Sequence, residues 1–282
     1  MSGRLQHLEQ RPAAEFENAC LDMQDFDGTI ADTFEQDSAR DIFGVDEAYR
    51  VAVEETLPDD KDALKRYEDQ GEHRNRTPAE IIESLVPDRS QKEQKVLTGK
   101  LIVAKLDVLE GQIGKPLSDG ALWPRPQPGF IEYSDTVSKI NASGEYIDQA
   151  IISAGHASFI EKCLDLYGVS RPEIMITDET IRGLNSRLSS EKLTKPEIAP
   201  FMLAKFQWLL LYGLTEAPKG LAPHVNNRIS LIGDSEPKDG GLARNAGIEF
   251  FHVNPKNPRE GWDNLSRAHL LGGQAVSDAA YS

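Results

Sequence analysis

The second half of the chain alternates between short apolar runs and longer stretches in which apolar residues recur with helical spacing. The apolar runs are too short for helices and are bounded by Gly, Pro or polar residues, which is typical of buried strands. Regular alternation of strand and helix predicts right-handed βαβ units and a parallel sheet. The predicted strands are 147–152, 173–177, 228–232 and 249–253, and the predicted helices are 130–142, 158–167, 196–211 and 238–246.

A further strand is predicted earlier in the chain, at residues 20–23. Its polar residues Asp22 and Gln24 alternate with Leu21 and Met23, so it lacks the continuous apolar run expected of a strand buried on both faces. This strand would deliver Asp25 into a loop at its carboxyl end.

The region between residues 33 and 122 has a helical pattern instead. Thr77-Pro78-Ala79-Glu80 is a capping box with Pro at the first helical position, and residues 97–109 form a second amphipathic candidate. Residues 115–129 are predicted as a linker because neither a helix nor a central strand tolerates so many helix breakers. These breakers are Pro116, Gly120, Pro124, Pro126 and Pro128.

These patterns predict an α/β protein with a Rossmann-like parallel-sheet core and an inserted α-helical domain. We assign residues 1–33 and 123–282 to the core and residues 34–122 to the insertion. Residues 215–227 are predicted as an added loop and residues 272–282 as a loose tail.

Composition excludes several partners. The 282 residues include 46 acidic and 31 basic ones, and the net charge of −15 predicts no binding to nucleic acid or to an anionic membrane. The two cysteines, Cys20 and Cys163, are far apart and form no CxxC motif, so they are predicted as buried thiols in a reducing compartment. Residues 1–19 lack an apolar leader and no window approaches a membrane span, so we expect a cytoplasmic protein.

The chemistry is concentrated in Asp25-Phe26-Asp27-Gly28-Thr29. Two carboxylates two residues apart, followed by a glycine turn and a hydroxyl, suit phosphoryl transfer, because one Asp can attack while the other carries a proton. An EF-hand calcium loop is excluded, since its sixth and twelfth positions would be Ile30 and Gln36 instead of Gly and Glu. An ordinary surface turn is the remaining alternative for this pentapeptide taken alone.

Polar residues follow three of the predicted strands. Asp25, Ser153 and the Gly233-Asp234 pair each come directly after a strand, so a parallel sheet places them at one edge. Asp239 follows five residues after Asp234, and Lys195 precedes Pro196, where a helix is predicted to start, so that it can reach the same edge.

Together these residues resemble the four ordered motifs of the haloacid dehalogenase (HAD) superfamily. The resemblance covers residues 20–33 and 127–254, and residues 34–122 lie where capped members carry their cap domain. The dehalogenases themselves lack the second Asp, so Asp27 favours a phosphate substrate. The motifs are Asp25-Phe26-Asp27-Gly28-Thr29, Ser153 in Ile-Ile-Ser-Ala-Gly, Lys195-Pro196, and Gly233-Asp234-Ser235 with Asp239.

The resemblance implies a Mg²⁺-dependent phosphatase that acts on a small phosphorylated metabolite through an aspartyl-phosphate. Asp25 and Asp234 would supply carboxylates and Asp27 its carbonyl to the ion, with Asp239 as a further ligand or support. Asp25 would attack phosphorus, and Asp27 would protonate the leaving alcohol. Phosphate and substrate contacts are expected from Gly28, Thr29, Ser153, Ala154, Gly155, Lys195, Arg74 and Arg76.

Several alternatives remain open at this stage. A phosphotransferase or sugar-phosphate mutase would pass the phosphoryl group to a second hydroxyl, and a non-catalytic binding protein could use the same scaffold. Phosphonate cleavage would need an imine-forming lysine in the cap, for which Lys65, Lys100 and Lys105 are candidates. The loop 71–76, with Arg74 and Arg76, could equally be a solvated basic loop.

Two other groups of residues are interpreted as packing residues. His156 follows Ser153 closely enough to face phosphate, but a histidine at a helix start is more often a partly exposed packing residue. Phe201, Trp208 and Tyr212 lie near helical spacing and are predicted to belong to the core instead of forming a base-stacking platform.

Overall fold

The structure is a computed structural model, and it describes residues 10–71, 76–177, 180, 195–222 and 224–279, with side chains described as far as 271. The chain forms two compact units. The first contains Met1–Ala31 and Pro126–Ser282, and the second contains Asp32–Arg125.

The first unit is built on a five-stranded parallel sheet with the order β5-β4-β1-β6-β7. The strands in chain order are β1 Ala19–Gln24, β2 Ala31–Asp32, β3 Arg125–Pro126, β4 Tyr146–Ile152, β5 Ile174–Ile176, β6 Ile229–Gly233 and β7 Glu249–His252, of which β2 and β3 form a separate two-stranded sheet. The predicted α/β class and parallel sheet are therefore confirmed.

The described helices are α1 Val45–Thr56, α2 Ala63–Gln70, α3 Pro78–Leu85, α4 Gln91–Glu110, α5 Phe130–Ser143, α6 Ala157–Tyr167, α7 Ala199–Leu211, α8 Gly241–Ala246 and α9 Pro258–Ala279. In the first unit, α5 to α8 alternate along the chain with the strands of the large sheet, as predicted. One core cluster joins Leu21 and Met23 of β1 to side chains of α7. Phe201, Trp208 and Tyr212 belong to this cluster and are buried, so their assignment to the core is confirmed.

The polar residues of β1 are buried, contrary to the sequence expectation. Asp22 is 1% exposed, and Gln24 is buried as well. The Asp22 carboxylate accepts hydrogen bonds from the Tyr133 hydroxyl at 2.6 Å and from the Ser230 hydroxyl, and it pairs with His269 Nε2 at 2.5 Å. Hydrogen bonds that satisfy the carboxylate let a charged residue occupy a strand buried on both faces.

Three element boundaries differ from the prediction. Helix α7 begins at Ala199 instead of residue 196, because Pro200 occupies the first turn, where its missing N–H is not needed. A π-helical turn, Glu236–Gly240, precedes the short α8 in place of one continuous helix. The predicted loose tail is wrong up to Ala279, since α9 extends to that residue.

The second unit consists of α1 to α4 around their own apolar core, which includes Tyr49, Val53, Ile82 and Leu101. The predicted capping box at Thr77 and Glu80 is confirmed, and α4 begins with another at Ser90 and Glu93. Near the end of the unit, the Arg125 guanidinium donates to Glu35 and Asp119. No helix among the described residues is both long and apolar enough to cross a membrane.

Candidate active site

The loop after β1 holds its two aspartates in fixed positions. The Asp25 N–H donates to Ile232 O on neighbouring β6 at 3.0 Å, which continues the sheet ladder by one residue and places Asp25 at the carboxyl edge. The chain then turns tightly. Phe26 O accepts from the N–H groups of Ile30 and Ala31, and Gly28 has φ 81°, a left-handed conformation that glycine adopts without strain. Asp25 is only 8% exposed.

The loop after β4 lies beside this turn. The Ser153 N–H donates to Ile176 O on β5 at 3.0 Å, and the Gly155 N–H donates to Ser153 Oγ at 2.9 Å. A Cβ placed on Gly155 would lie 3.1 Å from Ser153 Oγ and 3.6 Å from Asp27 Oδ2. The two loops therefore bring the Ser153 hydroxyl and the Asp27 carboxylate close to the space that a side chain at Gly155 would occupy.

The loop after β6 packs its second acid against the strand end. A Cβ on Gly233 would lie only 2.4 Å from Asp239 Cγ, so only glycine leaves space for the Asp239 side chain. The Ser235 N–H donates to Asp239 Oδ2 at 3.1 Å, and Ser235 also caps the π-helical turn. This arrangement buries Asp239 completely and directs it toward Asp25 and Asp234.

Lys195 links two of these acids. Its Nζ donates to Asp25 Oδ1 at 2.6 Å and to Asp239 Oδ1 at 2.5 Å, and its side chain is 11% exposed. The next residue, Pro196, packs where Gly241 has no side chain, since a Cβ there would lie 2.8 Å from Pro196 Cβ. The lysine thus reaches the sheet edge from a turn that precedes α7.

The three carboxylates form a compact acidic cluster. One oxygen from each of Asp25, Asp234 and Asp239 lies within 4.8 Å of the others. Burial raises the pKa of Asp25 to about 8; the Lys195 ammonium opposes this rise, and the neighbouring carboxylates add to it. Burial and the Asp239 carboxylate raise the pKa of Asp234 to about 6. Burial lowers the pKa of Lys195, but its two ion pairs outweigh this and leave the pKa above its usual value.

Other predicted site residues lie in different surroundings. Thr29 is buried, and its hydroxyl has no hydrogen-bond partner within the described part of the chain. Ala154 is exposed, and His156 is half-buried as the N-cap residue of α6. In the second unit, Arg76 donates to Gln70 and to Glu80 O, which ties its loop to α3. Arg74 lies outside the described residues.

Ser235 has a supporting role that was not predicted from the sequence. A serine two residues before a proline is a recognisable helix start, so the signal was present, but the π-helical turn was not predictable from it. The glycines Gly155 and Gly241 were likewise visible in the sequence. Their role as close-approach positions depends on neighbours that are distant along the chain.

Comparison with known proteins gives matches among solved structures alone, since no family model and no curated protein matches this chain. A phosphonoacetaldehyde hydrolase-like protein from Oleispira antarctica has 12% identity and a TM-score of 0.48, over 93% of this chain and 86% of that one. A haloacid dehalogenase-like family hydrolase from Xanthomonas campestris has 14% identity and a TM-score of 0.44, over 93% and 95%.

A HAD-superfamily hydrolase from Geobacter sulfurreducens has 16% identity and a TM-score of 0.42, over 86% of this chain and 88% of that one. Because identity is low and each TM-score is below 0.5, we draw nothing from these matches about the family or the activity of this chain.

Proposed function

We propose that this protein is a Mg²⁺-dependent phosphomonoester hydrolase of the HAD type that acts on a small phosphorylated metabolite. The observation that carries the proposal is the arrangement of Lys195 Nζ within 2.6 Å of Asp25, beside Asp239 and Asp234, at the carboxyl edge of a parallel sheet. Ligands of such sheets bind outside this edge.

The donor set fits magnesium. The cluster offers carboxylate oxygens alone, the ligands that this hard cation prefers, and one ammonium group faces three carboxylates. Asp25 and Asp234 would hold the ion, with Asp239 as a ligand or as the support that positions Lys195. When bound, Mg²⁺ offsets the repulsion between the phosphate dianion and the carboxylates.

Asp25 is the proposed nucleophile. Its carboxylate would attack phosphorus to form an aspartyl-phosphate while the P–O bond to the alcohol breaks, and water would then hydrolyse this intermediate. Asp27 would protonate the departing alkoxide in the first step and take a proton from the attacking water in the second. Its carboxylate lies near Ser153 and Gly155, where a phosphoryl group could meet all three.

The remaining groups would bind and orient the phosphoryl oxygens. The Ser153 hydroxyl and the Ala154 N–H are suitable donors, since the N–H groups of Ser153 and Gly155 already donate within the protein. Such donors act strongly where water is excluded. Lys195 would hold Asp25 in its attacking orientation and offset charge on the phosphoryl group. We propose that the helical unit, Asp32–Arg125, serves as the cap that selects the substrate.

A second candidate, phosphonate cleavage, has one observation in its favour. Of its three candidate lysines, Lys105 is buried, with Nζ 3.4 Å from the Tyr49 hydroxyl, whereas Lys65 and Lys100 are exposed. Desolvation in an apolar environment is one way in which a protein activates a lysine for imine formation. Borohydride trapping with an aldehyde phosphonate should label Lys105 under this alternative and leave it unlabelled under the main proposal.

The main proposal is tested by a panel of phosphorylated metabolites with free phosphate as the readout. We expect activity with Mg²⁺, loss of activity with EDTA, and no turnover by Asp25→Asn. Transfer of phosphate to an added alcohol or sugar in place of water would indicate a phosphotransferase. Equal activity in EDTA and in Mg²⁺ would contradict the proposal.

A further inference from the structure

A cavity lies in the first unit, away from the acidic cluster of Asp25, Asp234 and Asp239. Its volume is about 510 Å³, and it is lined by β1, β4, β6 and β7 together with α5 and α9. On β1 it reaches Cys20 and Asp22, whereas Asp25 lies at the other end of the strand. Five residues of strand separate Cys20 from Asp25 by roughly 16 Å. The cavity is therefore distinct from the candidate active site and opens near the amino ends of the strands.

The size and walls of the cavity suit a small organic molecule. Its volume falls within the range of about 300–1,000 Å³ that is usual for ligand pockets. Ile140, Phe251 and Ala268 supply accessible apolar wall surface. A ligand with an apolar body would remove this surface from water and gain free energy by doing so.

The buried and partly buried charged side chains that line the cavity already have hydrogen-bond partners. Asp22 accepts hydrogen bonds from Tyr133 and Ser230 and is paired with His269, so this carboxylate does not need a ligand to satisfy it. The Arg228 guanidinium also has partners, since it donates to Phe16 O at 2.9 Å and to Glu17 O at 2.6 Å. A charged ligand would therefore be recognised by the exposed charged residues that line the cavity, which we call the rim.

Three glutamates supply that charge. Glu17, Glu145 and Glu249 line the cavity and are exposed. Among the described residues no hydrogen bond or ion pair holds these carboxylates, and Glu249 also attracts the His269 imidazolium from the same cavity. The carboxyl end of α5 adds to the negative potential, because helix α5 ends at Ser143 and Gly144 lines the cavity. An anion such as a phosphorylated metabolite would be repelled here.

We propose that this cavity is a binding site for a small organic cation, an amine whose apolar body lies between Ile140, Phe251 and Ala268 and whose ammonium group meets the rim glutamates. The site accepts no phosphate and takes no part in the phosphoryl transfer proposed above. The two proposals therefore stand or fall separately.

Cys20 provides a direct readout of occupancy. It lines the cavity and is partly exposed, whereas Cys163 is buried, so a small uncharged thiol reagent should modify Cys20 first. Both cysteines were predicted as buried thiols; this is confirmed for Cys163 and wrong for Cys20, which is only partly buried. The experiment measures the rate of Cys20 modification by methyl methanethiosulfonate in the full chain, with peptide mapping by mass spectrometry.

Phenethylamine is the probe, with 3-phenylpropionate and 3-phenylpropan-1-ol as its anionic and neutral counterparts. A fragment of this size is expected to have a Kd on the order of 1 mM, so that about 10 mM amine slows Cys20 modification about tenfold. The carboxylate should give no protection. Equal protection by amine and carboxylate, or none by the amine, would overturn the proposal.

Two variants test whether the rim glutamates recognise the amine. The double variant Glu145→Gln with Glu249→Gln should raise the Kd for phenethylamine about three- to tenfold, because it removes two exposed attractions. Glu216→Gln, an exposed glutamate outside the cavity, is the matched control and should leave the Kd unchanged. An unchanged Kd in the double variant would show that the glutamates do not recognise the amine and would also overturn the proposal.

Discussion

At the scale of single residues, Gly233 shows how closely the acidic cluster is packed. The Asp239 side chain occupies the space that any larger residue would need at position 233. We expect Gly233→Ala to displace Asp239, to lower the free energy of unfolding by about 1–3 kcal/mol and to weaken metal binding. Urea denaturation and a Mg²⁺ titration would measure the two effects.

Gly99→Ala is the matched control for this substitution. Gly99 lies within α4, and a Cβ there would meet no atom within 4 Å. Because alanine favours helix more than glycine does, this variant should gain up to about 1 kcal/mol. A Gly233→Ala protein that unfolded like wild type would refute the packing account of this position.

Substitutions of Asp25 and Asp27, in the loop after β1, should affect different steps of the proposed reaction. Asp25→Asn removes the attacking oxygen and should abolish both turnover and the phosphoenzyme. Asp27→Asn removes the proton donor, so it should slow esters with poor leaving groups far more than p-nitrophenyl phosphate, whose leaving oxygen hardly needs a proton. Steady-state kinetics on both esters would measure this difference.

The phosphoenzyme gives an independent check of the same assignment. We expect mass spectrometry to place the phosphoryl group on Asp25. Its detection on Ser153 or His156 would show that the proposed mechanism is wrong, even if the protein proved to be a phosphatase.

At the scale of elements, the Asp22–His269 pair joins β1 to α9. Burial lowers the pKa of His269, but the Asp22 carboxylate outweighs this and raises it above 6.5. The folded state therefore binds the His269 proton more tightly than the unfolded state. The Asp22–His269 pair contributes fully to the free energy of unfolding below pH 6.5, and this contribution is lost as pH rises through the folded-state pKa of His269.

His269→Gln should accordingly destabilise the protein by about 1–3 kcal/mol near pH 6 and by less near pH 9. Urea denaturation of wild type and variant at both pH values would measure the difference. His224→Gln changes an exposed histidine and serves as the control. An equal loss at both pH values would mean that packing, and not the charge on His269, holds α9 to the strand.

The same elements show how far sequence alone could predict this fold. Short apolar runs and helical spacing located each strand of the large sheet to within about two residues, and parallel topology then placed Asp25, Ser153 and Asp234 at one edge. The sequence pattern does not predict helix α9. In the same pattern Asp22, which pairs with His269 of that helix, indicates an atypical strand. The stabilising contacts of Asp22 come from residues distant along the chain, which local patterns do not reveal.

At the scale of the whole molecule, metal and protons should compete for the acidic cluster. In the metal-free protein the pKa values of Asp234 and Asp25, about 6 and about 8, exceed the usual 3.8, so the folded state holds extra protons across this range. Stability in EDTA should fall as pH rises from about 4 to 8.

Bound at the proposed site, Mg²⁺ would replace these protons, so its stabilising effect should grow through the same pH window and reach about 2.7 kcal/mol at a concentration 100 times its Kd. Thermal unfolding at pH 5 and pH 8, with EDTA or Mg²⁺, would measure this dependence. Asp234→Asn should lose most of the Mg²⁺ effect. Stabilisation of equal size at both pH values would place the ion elsewhere.

The ion pairs of Lys195 span the chain, since Asp25 precedes the lysine by 170 residues and Asp239 follows it by 44. During synthesis on the ribosome, the proposed nucleophile emerges early, but its partners become available only after most of the polypeptide has left the exit tunnel. A nascent chain that stops before Asp239 lacks one of the two acids that pair with Lys195. Under the proposed function, the order of residues along the chain would delay catalytic competence until the core strands have been made.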